Sequence, residues 1–156
     1  MPLPRENVQR YPRPPLLEPV AARLRLILGG AVVAETEAGF RVCETHHAPT
    51  YYFPPASVQA RLIPAGGGSF CEWKGRARYF DVTAAGRTAR RAAWAYDQPS
   101  LRFAALAGFV AFYPGPMDAA WVGDMQVTPQ PGDFYGGWVT ANLEGIVKGG
   151  PGTEGW

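Results

Sequence analysis

At 156 residues, with 47% apolar and 18% charged side chains, the chain has the size of one domain and enough apolar surface to fold on its own core, without a metal or disulfide staple. Its 19 glycines and 16 prolines favour turns and short strands over helices. The net charge of +2 is uneven: residues 1–103 hold 14 basic and 8 acidic groups, residues 104–156 one basic and five acidic, which predicts an acidic C-terminal segment lying on a basic body rather than a nucleic-acid surface.

Residues 1–22 contain Pro2, Pro4, Pro12, Pro14, Pro15 and Pro19, a density that predicts an extended arm or a disordered tail. The β core domain is expected over 23–128. Arg23–Leu28 alternates with period 2 and Gly29-Gly30 turns it into Ala31–Ala34, a first hairpin. Gly39–Glu44 is a third strand. One helical turn fits at Ala56–Val58, then a short strand at Ala60–Ile63 and a flexible loop at Gly66–Ser69. Cys71–Thr83 and Arg87–Tyr96 read as two long strands joined by Ala84-Ala85-Gly86. Ser100–Ala107 is the best helix candidate, capped by Ser100 and ended by Gly108. Phe109–Tyr113 is a buried strand, and Gly123-Asp124 turns a hairpin between Ala120–Val122 and Met125–Val127. Residues 129–156 keep Phe134, Tyr135, Trp138 and Trp156 among glycines and prolines, which predicts an irregular arm packed on the core. The fold class is therefore mainly β, a single compact domain of antiparallel strands with one or two short helices.

Two tracts concentrate chemistry: Glu44-Thr45-His46-His47 running into Tyr51-Tyr52-Phe53-Pro54-Pro55, and Cys71-Glu72-Trp73-Lys74. Imidazole titrates near neutrality and Glu44 could orient it, but adjacent histidines in an extended segment point opposite ways, so at most one faces a given pocket. Lys74, beside an aromatic wall, is suited to bind an anion or, if desolvated, to act as base or nucleophile; a lysine stem covering a sheet edge is the plainer alternative. No metal site is expected: Cys43-x-x-His46 lacks a second ligand pair, and Cys43 and Cys71 suit small buried hydrophobes that stay unbridged. No cofactor motif is present, since Gly66-Gly67-Gly68-Ser69 lacks the phosphate-loop lysine. Lys74, Arg76 and Arg78 would share one face of a strand, with Arg87, Arg90 and Arg91 across the hairpin.

These tracts, with Ala93-Trp94-Ala95-Tyr96, Ala107–Tyr113, Gln130–Trp138 and Gly149–Trp156, resemble the bacterial family called domain of unknown function 427, the closing segments matching a longer-tailed subgroup. The resemblance covers most of residues 23–156. It implies a mainly β domain similar to the β-tent fold but without its zinc-holding cysteine pairs, and no established activity. Nucleotidyltransferase chemistry, a label attached to the family, is not expected, because it calls for an Asp-x-Asp pair and the aspartates here are scattered.

The expected function is binding of a small molecule, an anion fitting the residues, in an aromatic pocket. Glu44 and Lys74 are the candidate catalytic pair and Tyr51, Tyr52, Trp73 and Trp94 the ligand-binding residues; whether a reaction follows is left open. The alternative is a non-catalytic module binding protein or nucleic acid through the basic 74–91 hairpin and the aromatic arm. An N-terminus without an apolar core and the lack of any membrane-length apolar run predict a soluble cytoplasmic protein with no membrane partner. The oligomeric state is open, a homodimer being one option.

Overall fold

A computed structural model describes residues 3–71, 73–132, 135–150 and 152–153. The expectations for Glu72, Phe134 and Trp156 lie outside these. The described residues form fifteen strands: β1 Glu6–Asn7, β2 Leu16–Val20, β3 Leu24–Leu28, β4 Ala31–Thr36, β5 Gly39–Cys43, β6 Thr50–Phe53, β7 Arg61–Cys71, β8 Gly75–Ala84, β9 Arg87–Ala95, β10 Val110–Phe112, β11 Ala119–Val122, β12 Met125–Gln126, β13 Thr128–Pro129, β14 Trp138–Val139 and β15 Leu143–Glu144. A seven-stranded antiparallel sheet has the order β2-β5-β6-β10-β9-β8-β7, and a four-stranded one the order β12-β11-β3-β4. The protein is thus mainly β and a single domain. Among the described residues no helix is long and apolar enough to cross a membrane.

Alternation along the strands gives the large sheet two buried faces. Tyr51, Phe53, Phe80, Val82, Val110 and Phe112 meet Leu24, Leu26, Leu28 and Val33 of the small sheet in the main core. The intervening positions Val42, Tyr52, Ala77, Trp94 and Ala111 point the other way, onto Phe103 and Leu106.

The hairpin turns follow the expected chemistry. Gly29 and Gly30 take φ of 62° and 78°, and Ala85-Gly86 repeats the left-handed pair at 50° and 77°. The Ser100–Ala107 helix shortens to a 3₁₀ segment, Leu101–Leu106, bent at Phe103, and the Ser100 side chain does not cap it. Three glycines at 66–68 do not make a loop; β7 runs through them with a register shift between Ala65 and Gly68. Cys71 closes that strand instead of opening the next.

The N-terminal arm is built into the sheets. β2 is an edge strand, where a proline such as Pro19 is tolerated, and β1 pairs in parallel with β15. Arg41 on β5 fastens this segment: its guanidinium donates to Glu6 at 2.6 and 2.9 Å and to Glu18 at 2.6 Å. Tyr11 also donates to Glu6, at 3.3 Å.

The described part of the C-terminal segment is packed against the core at Trp138, but charge does little of the docking. Its one described ion pair to the N-terminal part, Glu144 with Arg5 at 2.6 Å, is largely exposed. Trp138 is 0% exposed, packs at a tilt against Tyr51 and Phe53 with ring centroids at 5.1 and 5.9 Å, and donates from Nε1 to the Phe112 carbonyl at 3.1 Å. Trp138→Ala should therefore cost about 3–5 kcal/mol and lower the midpoint of thermal unfolding by on the order of 10 °C. A midpoint within about 2 °C of the parent would show that the segment is not part of the cooperative fold.

Candidate functional site

The second face of the large sheet is only partly covered, and where cover is missing it opens into a cleft of about 300 Å³. Strand alternation brings Val42, Tyr52 and Trp94 to its floor. The β7–β8 connection contributes Cys71 and Lys74, the tract after β5 contributes Glu44 and His47, and the C-terminal segment closes it with Tyr135, Gly136, Gly137 and Lys148.

Of the residues singled out from sequence, Glu44, Tyr52, Lys74 and Trp94 line this cleft. Tyr51 does not. It is the neighbour of Tyr52 in an extended strand, so it projects through the opposite face onto Trp138, with Arg41 on the adjacent strand. Trp73 is absent from the lining too; it packs against the secondary core, and its carbonyl accepts from Ser100 Oγ at 2.5 Å. Lys74 lies in a turn, outside the strand, which frees it from the face that alternation would give it with Arg76 and Arg78. Glu44 has Arg13 as its ion-pair partner, at 3.6 Å, and no ion pair joins it to Lys74.

His46 and His47 diverge because His46 adopts a left-handed backbone, φ 66°. Its ring Nδ1 sits 3.3 Å from the Ile146 carbonyl, while His47 turns to the cleft and meets Tyr135 edge to face at 5.3 Å. Buried Gln130 determines which proton the His47 ring carries. Gln130 Oε1 accepts from the Ala48 N–H at 3.0 Å, so its amide nitrogen faces the Lys148 carbonyl at 3.0 Å and His47 Nδ1 at 3.3 Å. Nδ1 must therefore accept, and Nε2 carries the proton. Burial, reinforced by the charges of Lys148, Arg13 and Lys74, lowers the His47 pKa to about 4. At neutral pH it is an uncharged imidazole.

The cleft is otherwise rich in donors. The ammonium groups of Lys74 and Lys148 lie over the rings of Tyr96 and Tyr135, at 5.8 and 5.5 Å. No described acid forms an ion pair with either lysine. Burial raises the phenols of Tyr52 and Tyr96, and lifts Tyr113 to about 12, so all three keep their protons at neutral pH. Tyr52 is the exceptional one. Its residue is 0% exposed, and among the described residues its hydroxyl has no hydrogen-bond partner of good geometry. The indole of Trp94 and the phenol of Tyr96 are near enough to act on it as weak hydrogen-bonding neighbours that hold its pKa down, but neither is aligned for a full hydrogen bond.

The C-terminal wall comes this close because it has no side chain where it crosses Trp94. A Cβ on Gly136 would stand 2.2 Å from the indole, and one on Gly137 would stand 2.1 Å from Gln130 Oε1. Sequence reasoning missed Lys148, Tyr113 and the wall role of Tyr135. One signal pointed to Lys148: it is the single basic residue after position 103.

Cys43 and Cys71 are on opposite faces of the sheet, Cys43 beside Arg41 and Tyr11 and Cys71 at the cleft, so they cannot share a metal or a bridge. No described aspartate lines the cleft. Asp81 accepts from the Arg91 N–H, Asp97 pairs with Arg78, and Asp118 accepts from the Gly30 N–H, at 2.8, 2.5 and 3.0 Å. Among the described residues no three of His, Cys, Asp and Glu are grouped to hold a metal.

The family described as Domain of unknown function (DUF427) matches residues 16–123, and the chain belongs to it. Glu44, His47, Tyr52, Lys74 and Trp94 fall inside the match; Tyr135 and Lys148 fall beyond it. No curated protein matches the chain significantly.

The depressed His47 pKa carries a pH consequence. Between pH 6.5 and about 4 the unfolded chain takes up a proton at this ring and the folded protein does not. Stability is therefore present in full above pH 6.5 and falls as the pH drops toward 4, by about 1–2 kcal/mol once solvent screening of a half-buried ring is allowed for. Urea unfolding at pH 7 and pH 4.5 should show a smaller acid loss in His47→Gln than in the parent. Equal losses would mean that this ring protonates as easily folded as unfolded.

Proposed function

We propose that the cleft binds a small anionic molecule. The observation that carries this reading is the Tyr52 hydroxyl, a buried donor without a well-formed hydrogen bond among the described residues, lying just beneath the floor of a cleft whose rim holds Lys74 and Lys148. An unpaired buried hydroxyl costs about 1–3 kcal/mol of stability, and a ligand oxygen would satisfy it. Glu44 does not spoil the match, because Arg13 offsets its charge. Trp94, Tyr96 and Tyr135 add ring surfaces, and aromatic walls with a few convergent polar groups are the usual make-up of a ligand site.

Binding is favoured over proton-transfer catalysis. An imidazole with a pKa of about 4 is a weak base at neutral pH, and Glu44 is engaged by Arg13. The docking-module alternative has one observation in its favour: Phe70, on edge strand β7, is 74% exposed. Against it, the basic stripe is interrupted, since Arg78 is paired with Asp97 at 2.5 Å.

The test uses phenyl phosphate as probe and intrinsic tryptophan fluorescence as readout, with Trp94 in the cleft. Lys74→Gln and Lys148→Gln should each weaken binding about tenfold, the size of one charge-assisted hydrogen bond. Tyr52→Phe should weaken it about fivefold while leaving the unliganded protein as stable as the parent or more so, because the substitution removes an unsatisfied buried group. A Tyr52→Phe protein that binds like the parent, or lysine variants that leave the affinity unchanged, would sink the reading.

A further inference from the structure

Beyond Tyr79 and Tyr113 lies a wider groove of about 740 Å³. Ser69, Tyr79, Tyr113 and Tyr135 line both spaces, so hydroxyl-bearing side chains form the neck between them. Ser69 and Tyr79, on neighbouring strands, join their hydroxyls at 2.8 Å. The far walls are apolar, formed by Pro114, Pro116 and Pro129, and the charged groups among the described lining residues are Arg90 and Arg91.

Arg91 is held there by an unusual backbone. It has a left-handed conformation, φ 47°, opposite the register shift between Phe80 and Val82, and its N–H is taken by the Asp81 carboxylate. A residue with a β-carbon in this region carries strain that the surrounding structure must compensate, and such positions gather at ligand sites. The guanidinium is thereby laid over the Tyr79 ring and against the Gly66 carbonyl. Arg90 is exposed beside it and pairs with no described acid. The groove thus shares with the cleft a cation set against an aromatic ring, Arg91 over Tyr79, and, unlike the cleft with its Glu44, has no described acid in its lining.

We propose that the Arg90–Arg91 groove is a second anion subsite, and that the ligand is an elongated molecule with an acidic group at each end of a flat apolar middle. One end lies at Lys74 and Lys148, the middle passes Tyr79 and Tyr113, and the other end reaches Arg90 and Arg91. Ring walls at the neck favour a planar middle, because stacking gives contact area at little entropic cost. This inference rests on the anion-binding reading of the cleft.

Calorimetric titration of the full chain with biphenyl-4-carboxylate and biphenyl-4,4′-dicarboxylate separates the two claims, since the probes share a skeleton and differ only in the second acid. The diacid should bind the parent about tenfold tighter. Arg90→Gln should abolish that gain and change monoacid affinity less than about twofold, whereas Lys148→Gln should weaken both probes. Arg76→Gln, a change at an exposed cation lining neither space, should keep the gain. Equal affinities for the two probes, or a gain lost as fully in Arg76→Gln as in Arg90→Gln, would overturn the second subsite while monoacid binding that depends on Lys148 still upheld the first. If neither probe bound, both would fall.

Discussion

Everything at the cleft depends on the grip of one side chain, Gln130. Only 3% exposed, it joins three stretches of chain: its oxygen takes the Ala48 N–H, and its amide group serves the Lys148 carbonyl and the His47 ring. Its own backbone N–H goes to the Gly137 carbonyl at 3.0 Å. With every polar atom of the amide used, the group has one orientation, and that orientation fixes the His47 tautomer and ties Gly137 and Lys148 to the stretch at His47 and Ala48. A buried polar network that is fully satisfied specifies a single arrangement in this way, whereas a half-satisfied one would be a liability.

The same segment explains why the site is composite. Residues 16–123, the part matched by the family, supply the floor and one cationic wall; the C-terminal segment supplies the facing wall and the second cation. Trp138 anchors that wall in the main core, on the other face of the sheet. Stability and binding are therefore separable chemically but not mechanically: loosening Trp138 removes a wall, while changing Tyr52 alters the floor and leaves the wall standing. The unpaired Tyr52 hydroxyl is where the fold gives up stability, and a cost of that kind is expected where sequence and structure serve a ligand.

How far the sequence could be read depended on whether local chemistry decided the outcome. Gly29-Gly30, Ala85-Gly86 and the period-2 run at Leu24–Leu28 are local signals, and the strands follow them. Prolines before residue 20 pointed to an extended arm or a disordered tail and against a sheet strand, and what holds β2 on the sheet edge is Arg41, whose carboxylate partners are 23 and 35 residues away. The aromatic and charged tracts supply four residues of the cleft lining, Glu44, Tyr52, Lys74 and Trp94, but alternation within Tyr51-Tyr52 had to send one ring to each face, and the turn carrying Trp73 and Lys74 had to separate those two. The pairing of Glu44 with Arg13 was not legible at all, because it needs the N-terminal segment to be folded back over the sheet.

The most direct measurement is a crystal structure of the protein grown with phenyl phosphate. The account predicts a phosphate oxygen about 2.7 Å from the Tyr52 hydroxyl, with the Lys74 and Lys148 ammonium groups turned toward the anion and the phenyl ring against Trp94. A structure in which the anion sits on the exposed arginines of the β8–β9 hairpin, while an ordered water alone satisfies Tyr52 in a cleft without ligand, would contradict it.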